Sequence, residues 1–95
     1  MRELAFQVVE QHALSRNKYK IGGRAIMDIS IGDELLFPAD NPLHKARIFR
    51  ILYYNHEMKF INAGVSGYLF IETDGPIPTG DFELFRISLR HIQRG

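Results

Sequence analysis

Along most of this chain the hydrophobic positions recur with period two. In LAFQVV, Leu4, Phe6 and Val8 fall on one side, and in FELFRISLRHI, Phe85, Ile87 and Leu89 do likewise. Successive side chains of an extended backbone point to opposite faces, so both segments predict half-buried strands. Residues 2–14 also place Leu4, Val8 and Gln11 on one helical face, and a helix competes there. The β-branched and aromatic content favours the strand.

HKARIFRILYY is the longest strand candidate. His44, Ala46 and Ile48 share one parity and Ile51 has the other, so a bulge near Phe49-Arg50 is expected if Ile48 and Ile51 are both to lie inside. Gly22-Gly23, within IGGRAIMDISI, predicts a bulge or a close approach of two backbones. GYLFIET is a further strand. PADNP and DGPIPTGD read as loops, because proline removes a backbone donor and Asp-Asn and Asp-Gly favour turns. The tail RISLRHIQRG can be drawn two ways. Arg86, Arg90 and Arg94 recur every four residues, as on a helical tail, whereas a closing strand to about Leu89 turns Ile87, Leu89 and His91 inward opposite an arginine row. The strand is favoured, with the arginines blunting an exposed edge.

About six or seven short strands punctuated by turn signals, with no convincing helix, predict a single all-β domain over residues 1–95. In so small a chain a closed β-barrel is the economical arrangement, because closure removes exposed strand edges.

Composition narrows the chemistry. With 95 residues and 45% hydrophobic content the chain supports one modest core, and a formal net charge of +1 supplies no global attraction to nucleic acid or membrane. There is no cysteine, so disulfides, thiolate metal sites and cysteine nucleophiles are excluded and a cytoplasmic setting is expected. MRELAFQVVEQHAL is too interrupted by polar residues to serve as a signal peptide or membrane span.

ISIGDELLF and TGDFELF carry the same punctuation, an apolar-flanked Gly-Asp at Gly32-Asp33 and Gly80-Asp81. Together with IGGRAIMD and INAGVSGYLFIE they resemble, over roughly residues 4 to 87, the second domain of translational GTPases of the elongation factor Tu type. The match rests on Ile29, Ile31, Gly32 and Asp33, on Ala63, Gly64 and Gly67, and on Gly80 and Asp81. It implies an antiparallel-rich barrel of six to seven strands in which Gly32, Asp33, Gly64, Gly67, Gly80 and Asp81 are structural turns. The chain departs from the pattern at Met27-Asp28, where the family usually has a glycine, and at Val65, where it often has aspartate. There is no GxxxxGK[ST] motif, so the resemblance is to the barrel without the GTPase domain.

Catalytic constellations are not assembled by this sequence. His12, His44, His56 and His91 are widely spaced, with neither strand nor helix spacing for shared metal ligation. No GxSxG elbow surrounds Ser15, Ser30, Ser66 or Ser88, and Ser66 in AGVSG reads as a turn residue. Asp33-Glu34 and Asp81 are accounted for by turn chemistry. No metal, cofactor or catalytic residue is therefore assigned.

Recognition has better candidates. RNKYK with Arg24, and HKARIFR with Tyr53 and Tyr54, interleave cations with aromatics, which places Lys18, Lys20, Arg24, Lys45, Arg47, Arg50 and Tyr53 as a partner-binding or nucleic-acid-binding set. The competing reading is an ordinary solvated sheet face, with Tyr54 in the core. The sequence thus predicts a non-enzymatic binding module that contacts another protein. The alternative is an RNA- or ribosome-associated accessory protein using the basic-aromatic residues, with an immunity-type protein or an enzyme behind both. No membrane partner is expected. A homodimer would accommodate Leu36, Phe49, Phe70 and Phe82 if these exceed what one small core can hold.

Overall fold

Residues 2–14, open to two readings in the sequence, are strand. The computed structural model describes residues 2–38 and 45–87. Its elements are β1 (Arg2–Ser15), β2 (Lys18–Ala25), β3 (Ile29–Ser30), β4 (Glu34–Leu36), β5 (Lys45–Tyr53), β6 (His56–Met58), β7 (Phe60–Ile61), β8 (Ser66–Glu72) and β9 (Phe82–Ile87). No helix occurs among the described residues. The longest described strand is β1 rather than β5. Pro42, His44, Ser88, Leu89, Arg90, His91 and Arg94 lie outside the described residues, and with them the expected strand end at Leu89.

Six strands form a ring of antiparallel pairs that runs β4, β9, β1, β2, β8, β5 and back to β4, while β6 extends the sheet beyond β5. A separate antiparallel pair joins β3 to β7. Phe6, Ile21, Leu35, Ile48, Ile51, Leu69, Ile71 and Leu84 are fully buried in one cluster that draws on β1, β2, β4, β5, β8 and β9. Each of these strands buries alternate side chains against the others, the period-two pattern closed on itself.

Bulges adjust that pattern. The ladder between β5 and β8 jumps between Ile48 and Arg50, so Phe49 is the extra residue and Ile48 and Ile51 both enter the core. The expected bulge is therefore present. A second one shifts the predicted alternation of β1: pairing with β9 jumps from Leu4 to Phe6, which buries Ala5 beside Phe6 and leaves Leu4 half-buried. The carbonyl of Ala5 accepts from the amide of Ile26 at 2.8 Å.

Opposite Gly22-Gly23 both expectations hold at once. The pairing of β1 with β2 skips Val9, so the bulge is on the facing strand. A Cβ on Gly23 would lie 1.8 Å from the Gln7 carbonyl oxygen, and one on Gly22 would lie 2.8 Å from the Tyr68 ring. Only glycine admits this approach.

At the other end of the chain the inward set is corrected. Phe82 and Leu84 enter the core, whereas Phe85 is half-buried and Ile87 is 48% exposed. Each parity of FELFRI carries two apolar residues, Phe82 and Leu84 on one and Phe85 and Ile87 on the other, so the facing elements decide. Phe82 packs on Phe37 with ring centres 5.8 Å apart, and Phe85 sits 5.7 Å from the Arg2 guanidinium.

Among the turn residues, Gly32, Gly64 and Gly80 have φ of +97°, +90° and +77°, the left-handed region that glycine enters without steric cost. Asp33 caps its own turn by accepting the Ser30 amide at 2.8 Å. One assignment changes: Gly67 is a strand residue of β8, where a Cβ would meet the Leu52 carbonyl oxygen at 2.9 Å. Ser66 likewise opens β8 instead of lying in a turn. Asp81 lies with Gly80 in the bend before β9, exposed and with no side-chain hydrogen bond among the described residues.

Candidate interaction surface

Alternation along β2 directs Lys18, Lys20 and Arg24 away from the buried Ile21 and Ala25. The register brings them to β8 and then β5: Lys20 pairs with Phe70, which pairs with Arg50, while Gly22 pairs with Tyr68 and Arg24 with Ser66. The outer face of these three strands is a layer of aromatic rings under cations. Lys20 Nζ stands 4.4 Å from the centre of the Tyr68 ring and 6.0 Å from that of Phe70, and the Arg50 guanidinium stands 4.8 Å from Phe70. Lys18 Nζ lies 5.5 Å from Phe49, whose ring meets Phe70 edge-on at 6.1 Å. Phe70 is only 6% exposed yet is not a member of the core cluster, so its burial is due to the side chains of the outer face.

Part of the positive charge is neutralised in place. Arg50 pairs with Glu57, its Nε donating to a carboxylate oxygen at 2.6 Å, and this hydrogen bond holds the guanidinium above its usual range. Arg47 pairs with Glu72 at 3.5 Å and Lys45 with Glu34 at 3.8 Å. Lys18, Lys20 and Arg24 have no ion pair with a carboxylate among the described residues. The expected set is thus divided. Lys18, Lys20 and Arg50 share the aromatic layer and Arg47 borders it at Glu72, whereas Lys45 stands beside β4 and Tyr53 at the end of β5.

Tyr54 is not a core residue. It is 79% exposed at the first position of the Tyr54-Asn55 connection between β5 and β6, and its ring meets Tyr53 at 4.6 Å. The φ values of +49° and +66° give the hairpin the twist of a type I′ turn.

Tyr54 and Asn55 end a shallow groove of about 660 Å³ across the outer face, which passes Ser66, Gly67 and Tyr68 on β8, then Gly22, Gly23 and Arg24 on β2, and reaches Gln7, Val9 and Glu10 on β1. Tyr68 is anchored by donating its hydroxyl to Glu10 at 3.2 Å, and His12 contacts the same carboxylate oxygen at 3.0 Å. Those two hydrogen bonds hold the Glu10 carboxyl below its ordinary value of 4.5, and the bond to Glu10 raises the Tyr68 hydroxyl above 10.0.

Sequence reasoning missed Tyr68, Glu10 and the outward turn of Phe70. GYLFI is apolar at both parities, so its outer face is not visible in the pattern. The pairing of Gly22 with a ring was the available signal, since a glycine inside a strand invites an aromatic neighbour.

Among the described residues no three His, Cys, Asp or Glu side chains are placed to hold a metal ion, and no helix is long and apolar enough to cross a membrane. Compared with known proteins, the chain matches no family model and no curated sequence.

Proposed function

We propose that this chain is a non-enzymatic binding module that contacts another protein through the outer face of β2, β8 and β5. The observation that carries the reading is the aromatic layer of Phe49, Phe70 and Tyr68 under Lys18, Lys20 and Arg50, interleaved with Glu10, Glu57 and Glu72. Aromatic rings and arginine are enriched in protein interfaces. A phosphate backbone favours a continuous positive track, and three carboxylates interrupt this one.

The second reading, an RNA- or ribosome-associated accessory protein, draws on Lys18, Lys20 and Arg24, which form no close ion pair with a carboxylate among the described residues. A barrel of the translation-factor domain 2 type is the fold we assign to the ring of six strands. The left-handed Gly32, Gly64 and Gly80, at glycine positions of the resemblance, support that assignment. Its setting in this reading is cytoplasmic, in keeping with the absence of cysteine.

Affinity capture with the tagged full chain, with and without nuclease, separates the two readings. A protein partner survives nuclease and is lost from Lys20→Ala/Tyr68→Ala, whereas Lys59→Ala leaves it bound. Loss on nuclease treatment, with a salt-sensitive mobility shift of labelled single-stranded RNA that disappears in Lys18→Ala/Lys20→Ala/Arg24→Ala, overturns the protein reading in favour of RNA.

A further inference from the structure

The groove that ends at Tyr54 combines three features that separate explanations leave unconnected. Its floor crosses β8 and β2 at Gly67, Gly22 and Gly23, with the Tyr68 ring and the Glu10 side chain filling the place of a Cβ over Gly22 and the outer side of Gly23 and Gly67 presenting backbone alone. One wall is a ring held in place: Tyr68 bonds Glu10 through its hydroxyl and lies under the Lys20 ammonium. On the other side Arg24 is exposed and has no carboxylate among the described residues.

Tyr54 itself is in an unfavourable place. The first position of a type I′ turn is the province of Asn, Asp and Gly, and a bulky side chain there carries left-handed strain. The ring is 79% exposed, so burial within the chain does not offset that strain. Val9, pushed out by the β1 bulge and 60% exposed, stands at the opposite end of the groove.

We infer that this groove receives an extended segment of the partner protein that carries an aromatic side chain flanked by acidic residues, a conclusion that rests on the protein-binding reading. The aromatic side chain lies across the exposed backbone of Gly23 and Gly67, between the Tyr68 and Tyr54 rings, and an acidic neighbour pairs with Arg24. Charge sets the preference. The negative charge of Glu10 is offset by the nearby Lys20 ammonium, and Arg24 has no carboxylate partner among the described residues, so the charge left over in the groove is that of Arg24. From the β5–β6 hairpin to β1 the path crosses about three strand spacings, roughly 15 Å, the reach of about four or five extended residues.

The test is an amide-resolved NMR titration of the labelled full chain with the blocked pentapeptide Ser-Asp-Phe-Asp-Ser. Gly22, Gly23, Ser66 and Gly67 are expected to shift. Replacing both aspartates by asparagine weakens binding about threefold to fivefold, the scale of an exposed ion pair, and Arg24→Gln abolishes that difference. The same peptide with alanine for phenylalanine does not bind. Tyr54→Asn weakens the peptide while raising the melting temperature, which separates loss of a contact from loss of the fold.

Equal binding of the acidic and neutral peptides, shifts centred on Lys18 and Arg50, or no shift at all overturns the groove assignment. Tighter binding of octauridylate at the same amides overturns it in favour of nucleic acid. If nuclease-resistant capture of a protein persists while the peptide fails, only the groove assignment falls. If capture fails as well, the binding-module reading falls with it.

Discussion

One oxygen of Asp33 accepts two hydrogen bonds, from the Ser30 amide at 2.8 Å and from the Arg86 guanidinium at 2.7 Å. The first shapes the turn before β4, and the second ties that turn to β9. Between β4 and β9 the ladder has one register pair, Leu36 with Phe85, so this contact reinforces the ring where backbone pairing is shortest. Arg86 also donates to the Asp28 carbonyl at 3.0 Å. Asp33→Ala is expected to destabilise by about 1.5 kcal/mol, the scale of a charge-assisted hydrogen bond. Asp33→Asn keeps an acceptor for Ser30 and costs less. Denaturant midpoints at unchanged slope distinguish the two.

Two glycines are required for different reasons, and alanine separates them. At Gly23 the new Cβ would collide with the Gln7 carbonyl oxygen, a backbone atom that moves only if β1 and β2 part. At Gly32 nothing lies within 4 Å of the Cβ position, and only the φ of +97° resists. Gly32→Ala should cost about 1–2 kcal/mol and leave a folded protein. Gly23→Ala should unfold the chain or shift the β1–β2 register, visible as lost amide dispersion.

Phe49 is an extra residue in an otherwise regular ladder. Deleting it leaves Ile48 opposite Ile71, Arg50 opposite Phe70 and Ile51 opposite Leu69, the pairs already present. The deletion variant is therefore expected to fold, losing mainly the Phe49–Phe70 contact, about 0.5–1.5 kcal/mol. Absence of cross-strand NOEs between Ile51 and Leu69 in that variant would show that the bulge is needed for the register.

Thr73 is buried, and its hydroxyl has no partner among the described residues. Its backbone amide, which donates to Asn17 at 2.9 Å, is unaffected by a change of side chain. Thr73→Val keeps the shape and removes the unpaired oxygen, so stability should rise by about 1 kcal/mol in thermal or chemical denaturation.

Acid should weaken the anchor of Tyr68. The folded chain holds the Glu10 carboxyl below 4.5, so the resulting stabilisation is present above that pH and is lost as the pH falls through the lowered value. Melting temperatures of the wild type and Glu10→Gln should differ at neutral pH and converge in acid. A difference unchanged by acid would refute the role given to the ionised carboxylate.

Much of the fold is legible in the residues alone. Alternation identifies strands at both ends, the changed parity between Ile48 and Ile51 locates the bulge at Phe49, and Gly32, Gly64 and Gly80 mark reversals that need a left-handed residue. These are local properties, set by where a side chain points and which φ a residue tolerates. The outer face is less legible. Lys18, Lys20 and Arg50 could be named from composition, but their meeting over Phe70 depends on the register of β2 and β5 with β8, between segments far apart in sequence. Where both parities carry apolar residues, as in GYLFI and FELFRI, the pattern shows a strand without saying which face is inside. Packing made that choice: Phe82 against Phe37 turned Phe85 outward, and burial of Leu69 and Ile71 left Tyr68 and Phe70 on the outside. The sequence by itself determined the strands and their reversals, and only the closed ring decided which residues face one another, because register is settled by contacts between strands and not within them.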